Sequence, residues 1–524
     1  MSKPINKLGY NLATSKLIKF LHISRQKWRQ RALKRGHDNR RLKWRVRDLE
    51  ASRRYWKGQA QMLSSQLVDV PQQSGTEAAA LSIRGPMRQA IAHHCFPLWQ
   101  VMASIRWYLY TSMGFRCIAR AWQVLSKPLL VKVPSFGVIR QWVLRIGYYK
   151  IEQPSERAKD WVYIVDYTLQ IGLEQCLVIA GARLSALRQA KSWALKACQV
   201  RILDISLCHW ANGEHLCERL HKAIAQTGVP QQVVGDGAGS IRKGIRLLKQ
   251  SLEQPIIYTY DMSHLVARIM KGLLSNHPQW KQLVNALNLL QKSIVQTSFG
   301  FLAPTSLRKT ARYMNLFATV DWTQKLLQYF DAADFTLINT DKPEAEQKEQ
   351  FLKYFGPIIA MRPFLEALQQ LMRLARILLT DFKTRGLSSR RFQLWRQYQN
   401  EELLPLTQEF FRRWKQDMQS NIEALSDGQT YLASSDIIES IFGHYKQAGE
   451  KAWLKGMSAN VLMMAAFAGP LTAQLVREAL LSASFQEVEA WWRAQREGPS
   501  FLAKRRRAFA RPDKGTKVVG TDSS

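Results

Sequence analysis

Three short segments of this 524-residue chain each place one acidic residue where an acid is costly to bury. Trp161-Val162-Tyr163-Ile164-Val165 runs straight into Asp166, and Val233-Val234-Gly235 runs into Asp236. Apolar runs of this kind read as buried strands, so each aspartate would emerge at a strand's end, beside the sheet. Glu439 lies in Ser434-Ser435-Asp436-Ile437-Ile438-Glu439-Ser440-Ile441-Phe442-Gly443-His444-Tyr445-Lys446. A serine followed by an acid and a 3.6-period apolar pattern reads as a capped helix start. The fold therefore has to bring two strand ends and one helix, distant in sequence, to a common place.

Two strand-borne aspartates and a helix-borne glutamate suit divalent-metal phosphoryl transfer. Hard cations prefer carboxylate oxygens, and two of them roughly 4 Å apart can hold both the attacking and the leaving oxygen of a phosphodiester. Over roughly residues 90 to 485 the layout resembles the DDE transposases of bacterial insertion sequences. Glu439 and Lys446 carry the Glu-x6-Lys spacing of one branch of that family, while Ser435 stands where the branch often has Arg. The acids are separated by 70 residues (236 − 166) and then by 203 (439 − 236), the second interval calling for an inserted domain. The resemblance implies an α+β fold: a ribonuclease-H-like core, with a mixed five-stranded sheet and flanking helices, interrupted by an all-helical insertion. It also implies a helical N-terminal DNA-binding region. Asp166, Asp236 and Glu439 would be the catalytic residues and the ligands of two Mg²⁺ or Mn²⁺ ions, with Lys446 on a DNA phosphate.

Charge agrees with such a partner. A formal net charge of +36, with 46% hydrophobic residues to build cores, attracts polyanions. The longest apolar stretch, Val461 to Leu471, is broken by Gly469-Pro470 and is shorter than the ~20 residues a membrane span needs. The first residues lack the apolar segment of a signal peptide. Six scattered cysteines are no disulfide framework, so a cytoplasmic, nucleoid-associated protein is expected. Cys208, His209, His215 and Cys217 match no zinc spacing and read as buried thiols and surface imidazoles.

Residues 1–67 form a basic arm. Sixteen Lys or Arg against three acids fall within 16–57, and Leu42, Leu49, Trp56 and Leu63 recur in a heptad. Such a helix could be solvated, touch DNA or pair in a coil. Residues 68–86 read as a linker. Residues 87–150 read as a helix-turn-helix-like DNA-binding domain in which Ser135 caps the second helix, with Arg140, Gln141 and Arg145 pointing outward to DNA. Strands are expected at 161–168, 175–181, 198–207, 231–234 and 255–260, with a helix to about 226, placing the first part of the core at 155–264. An all-helical insertion over 265–430 follows, then the last part of the core at 431–485 and a basic tail at 486–524.

Asp261 also ends an apolar strand and rivals Asp236. Asp236 fits the family order, leaving Asp261 as a helix cap or supporting group with His264 near the site. Asp436 rivals Glu439, although capping its own helix is the simpler duty. Gly237-Ala238-Gly239 lacks the rest of any nucleotide-binding fingerprint, so no nucleotide cofactor is expected. The expected function is a transposase that binds the double-stranded ends of its own element. It would cleave with metal-activated water and join the 3′-hydroxyl to target DNA, without a Tyr or Ser nucleophile. The resemblance implies a homodimer or larger homo-oligomer. A non-catalytic basic DNA-binding protein and a nuclease without strand transfer are the alternatives.

Overall fold

The computed structural model describes residues 89–509, apart from 112, 172–173, 305–312, 314–315, 333–342, 399–401, 449–456, 497 and 500. The basic arm at 1–67, the linker at 68–86 and the tail past 509 lie outside the described residues.

Three helices come first: α1 (Leu98–Tyr110), α2 (Phe115–Leu129) and α3 (Phe136–Glu152), the last capped by Ser135, whose hydroxyl accepts from Val138 N. The sheet follows as β1 (Trp161–Ile171), β2 (Glu174–Arg183), β3 (Arg201–Cys208), β4 (Gln232–Gly235) and β5 (Ile257–Tyr260). Short helix α4 (Leu184–Gln189) follows β2, α5 (Gly213–Thr227) lies between β3 and β4, and α6 (Gly239–Ser251) between β4 and β5. Strand order is β3-β2-β1-β4-β5. The β1–β2 and β2–β3 pairs are antiparallel, and β1–β4 and β4–β5 are parallel. This mixed five-stranded α+β arrangement is that of a ribonuclease-H-like core.

The reason β1 reads as an unbroken apolar run is visible in its surroundings. Val162 and Ile164 enter one hydrophobic core, while Trp161, Tyr163 and Val165 enter another on the opposite face. A sheet covered on both sides needs no polar alternation. Leu216 and Leu220 of α5 and Ile241, Ile245 and Leu248 of α6 cover the second face. The first face is covered jointly by α1–α3 and by the C-terminal helices α14 (Asp436–Ala448), α15 (Met463–Phe467), α16 (Ala473–Ser482) and α17 (Phe485–Ala494). Two expected boundaries blur accordingly. The described residues of 87–150 share a hydrophobic core with the sheet, since α3 buries Ile139, Trp142, Val143 and Ile146 in the same cluster as Val162 and Ile164. The core also runs past residue 485, since Val488 of α17 is fully buried in the same cluster.

Between β5 and α14 the described residues form helices α7 (Met262–Leu274), α8 (Pro278–Ser293), α9 (Leu316–Ala332), α10 (Glu344–Ile359), α11 (Arg362–Arg385), α12 (Ser389–Arg396) and α13 (Pro405–Glu423). They bury a core of their own, rich in Leu, Phe and Trp. Helix α18 (Phe501–Ala508) closes the described chain.

Candidate active site

The register of the sheet brings the two aspartates together. The last residues paired between parallel strands β1 and β4 are Val165 and Gly235, so Asp166 and Asp236 are the next residues along the two chains. Asp236 follows the end of β4 as expected, whereas Asp166 lies within β1, which runs on to Ile171 because it stays paired with β2, Asp166 opposite Val178. Crevices beyond the carboxyl ends of parallel strands are where α/β sheets place their ligands. Asp166 Oδ1 accepts from Tyr167 N at 2.7 Å, and Asp236 Oδ1 from Ala238 N at 2.8 Å. Gly237 makes the tight turn possible. Its φ is +72°, and a Cβ there would lie 1.6 Å from the Tyr260 ring, a position only glycine can occupy.

Glu439 comes to the same place through a chain of backbone ties. Tyr431 exchanges two backbone bonds with Leu387, each 2.8 Å. Leu432 donates to Gln232 Oε1 at 3.0 Å, and its carbonyl accepts from Gln232 Nε2 at 2.7 Å. Met262 N donates to Ala433 O at 3.0 Å. Ser434 Oγ accepts from Asp436 N at 3.1 Å. Ser435 donates through both N (2.5 Å) and Oγ (3.0 Å) to Asp261 Oδ2. Leu432, Ala433 and Ser435 are thereby fixed to the start of β4 and the end of β5, with Tyr431 tied to Leu387 and Ser434 to the first turn of the helix that carries Glu439.

Asp261 is fully buried and caps α7 by accepting from His264 N at 2.7 Å. The His264 ring lies between two carboxylates, with Nδ1 3.0 Å from Asp261 Oδ1 and Nε2 3.4 Å from Glu439 Oε1. Burial opposes a charge on His264. The hydrogen bond and charge of Asp261, then the charges of Glu439 and Asp166, outweigh it and raise His264 to about 9, so the ring is an imidazolium at neutral pH. Burial also opposes charge on Asp261, yet the bonds from His264 and Ser435 hold it below its ordinary value.

Asp166 moves the other way. Burial, then the charge of Asp236, push it up to about 7, against the opposing pull of His264. Glu439 is also raised, first by burial, with His264 opposing and Asp261 and Asp436 reinforcing. Carboxylates that repel one another in a half-buried cleft have the donor chemistry a hard divalent cation relieves. Among the described residues, however, no group of three or more His, Cys, Asp or Glu side chains is arranged to hold a metal ion. The acids are electrostatically coupled without forming a closed chelate.

Helix α11 of the insertion also reaches this neighbourhood. Lys383 Nζ lies 2.5 Å from Asp436 Oδ2, and Ser263 Oγ donates to Asp436 Oδ1 at 2.9 Å. Asp436 thus joins α7, α11 and α14, a role no local motif announces. Gln232 was open to inference, as a polar residue starting an apolar strand needs a buried partner. Lys446, two turns beyond Glu439, is exposed with its ammonium 5.9 Å from the centre of the Phe442 ring.

The expectation that Arg140 and Arg145 point outward to DNA is corrected. Arg140 Nε donates to Asn460 Oδ1 at 2.9 Å. Arg145 donates to the carbonyls of Ala483 and Leu480, and its Nη1 is 3.3 Å from His94 Nε2. Both guanidiniums are half-buried and serve as ties to the C-terminal segments; burial lowers the pKa of each. Gln141, between them, is half-buried as well.

No family model matches the chain, and no curated protein matches it. Among solved structures it is similar to a Drosophila P element transposase strand transfer complex. The TM-score is 0.31 and the identity 12%, covering 82% of this chain and 100% of that one. The ribonuclease-H-like assignment rests on strand order and direction, not on that loose superposition. Among the described residues, no helix is long and apolar enough to cross a membrane.

Proposed function

We propose that this protein is a metal-dependent DNA transposase of the DDE kind, acting on the double-stranded ends of an insertion element. One observation carries the reading: Asp166 and Asp236 stand side by side just past the last paired residues of parallel strands β1 and β4, with Glu439 coupled to them through His264. A closed three-ligand cage is not what Mg²⁺ asks for. It keeps several waters and takes one or two carboxylates plus substrate phosphate oxygens. Asp166, Asp236 and Glu439 would hold two Mg²⁺ or Mn²⁺ ions, which supply an activated water and charge neutralisation at the phosphorus.

The chain's own residues do the remainder. The imidazolium of His264 holds Glu439 toward the aspartates and is itself held by Asp261. Lys446 presents an exposed ammonium to a phosphate of the strand being cut. The 3′-hydroxyl left after hydrolysis would be the nucleophile on target DNA, by in-line displacement at the same carboxylates. A homodimer or larger assembly would hold paired ends.

The test is Mn²⁺- and Mg²⁺-dependent cleavage of linear DNA by the wild type and by Asp166→Ala, with products examined for strand-transfer molecules. Equal nicking by both proteins removes the enzyme and leaves a DNA-binding protein. Cleavage without joined products leaves a nuclease.

A further inference from the structure

Helix α6 begins three residues after Asp236 and carries no acidic residue. Its buried face is Ile241, Gly244, Ile245 and Leu248. Its outer face is Arg242, Lys243, Arg246 and Lys249, all exposed. Among the described residues only Lys243 of these four has an acidic partner, Glu214 Oε1 at 2.5 Å. Arg242 and Arg246 are four residues apart, and Arg246 and Lys249 three, so like charges stack along one stripe. Such pairs destabilise a helix by themselves, and an anionic partner along the stripe removes the repulsion.

The stripe opens onto the candidate site. The charges of Arg242 and Asp236 both act on the hydroxyls of Tyr258 and Tyr260, and the Tyr260 ring packs against the Gly237 turn. From Arg242 to Lys249 the helix advances about 10 Å, close to the axial advance of three nucleotides in one strand.

We propose that the outer face of α6 is the surface that grips the phosphate backbone of the DNA strand delivered to Asp236. This inference rests on the DNA-cutting reading above and adds the direction in which the strand leaves the carboxylates. The contact is with phosphates, so it confers affinity and placement without sequence preference.

The experiment is duplex-DNA binding by the full chain in a chelating buffer, followed across a salt series. The variant is Arg242→Gln/Arg246→Gln/Lys249→Gln, and the control Lys325→Gln/Lys348→Gln/Lys353→Gln removes three exposed lysines from the insertion. The α6 variant should lower the slope of log K against log salt by about three, one per lost phosphate contact, equally for unrelated DNA sequences. The control should leave the slope as in the wild type. An α6 variant with the wild-type slope, or a control that changes it equally, overturns the proposal. So does a variant whose only loss is binding to anionic lipid vesicles. Failure of the catalytic reading shows separately, as metal-dependent cleavage that survives in Asp166→Ala.

Discussion

Gln232 and Leu432 are 200 residues apart, and the side-chain amide of the first pairs with both backbone groups of the second, as a neighbouring strand would. The same Nε2 also donates to Thr259 Oγ1 at 2.7 Å. Gln232→Leu would strand a buried N–H and a buried carbonyl. At about 1–3 kcal/mol for each unsatisfied group, the loss should reach about 2–5 kcal/mol by urea denaturation. A loss below about 0.5 kcal/mol would show that the 431–435 segment is held in some other way.

Asp166 is raised from 3.8 to about 7 by burial and by Asp236. A raised carboxylate binds its proton more tightly in the folded protein, so metal-free stability should fall as pH climbs from about 4 to about 7, by at most about 1.4 kcal/mol per unit. Asp166→Asn should remove that decline and raise the melting temperature in chelator. It should also lose the stabilisation that Mg²⁺ gives the wild type, and about 10³-fold or more of cleavage. A melting temperature lowered in chelator would contradict the repulsion.

Lys383 and Asp436 tie the insertion to the Glu439 helix across a half-exposed contact. Such a pair adds little to stability, about 1 kcal/mol or less, so Lys383→Met should unfold nearly as the wild type does. Its cleavage rate should nonetheless fall about tenfold through misplacement of α14. In a double-mutant cycle with Asp436→Asn the two losses should overlap rather than add. Additive losses would sever the connection.

Lys150 is buried, donating to Ala468 O at 2.5 Å and Ala466 O at 3.4 Å. Burial first, then Arg201, lower it from 10.5 to about 8. Between those two values the unfolded chain binds the extra proton, so stability should rise with pH across that window, at up to about 1.4 kcal/mol per unit. Lys150→Met should flatten this component of the pH profile. Parallel curves for the two proteins would mean that the ammonium is not desolvated.

The strand-borne acids were legible because a sheet covered on both faces leaves unbroken apolar runs, and an aspartate at the end of such a run is conspicuous. The helix start at Asp436 was legible from a different local signal, the capping serines Ser434 and Ser435 ahead of a 3.6-period apolar pattern. Arg140 and Arg145 misled because periodicity says which side of a helix is polar but not what covers it. Here it is covered by Asn460 and the carbonyls of Leu480 and Ala483, more than 300 residues away. The Gln232–Leu432 and Lys383–Asp436 ties were illegible because they join segments with no shared local pattern.

The chain departs from the sheet at Asp261 and comes back at Ser435, 174 residues later, and a single carboxylate fastens both points. Topologically the whole helical excursion is therefore a side branch with adjoining roots. Growth, trimming or outright exchange of that branch could occur over evolutionary time without shifting the helix beyond it, provided that a replacement for the Lys383 contact was found.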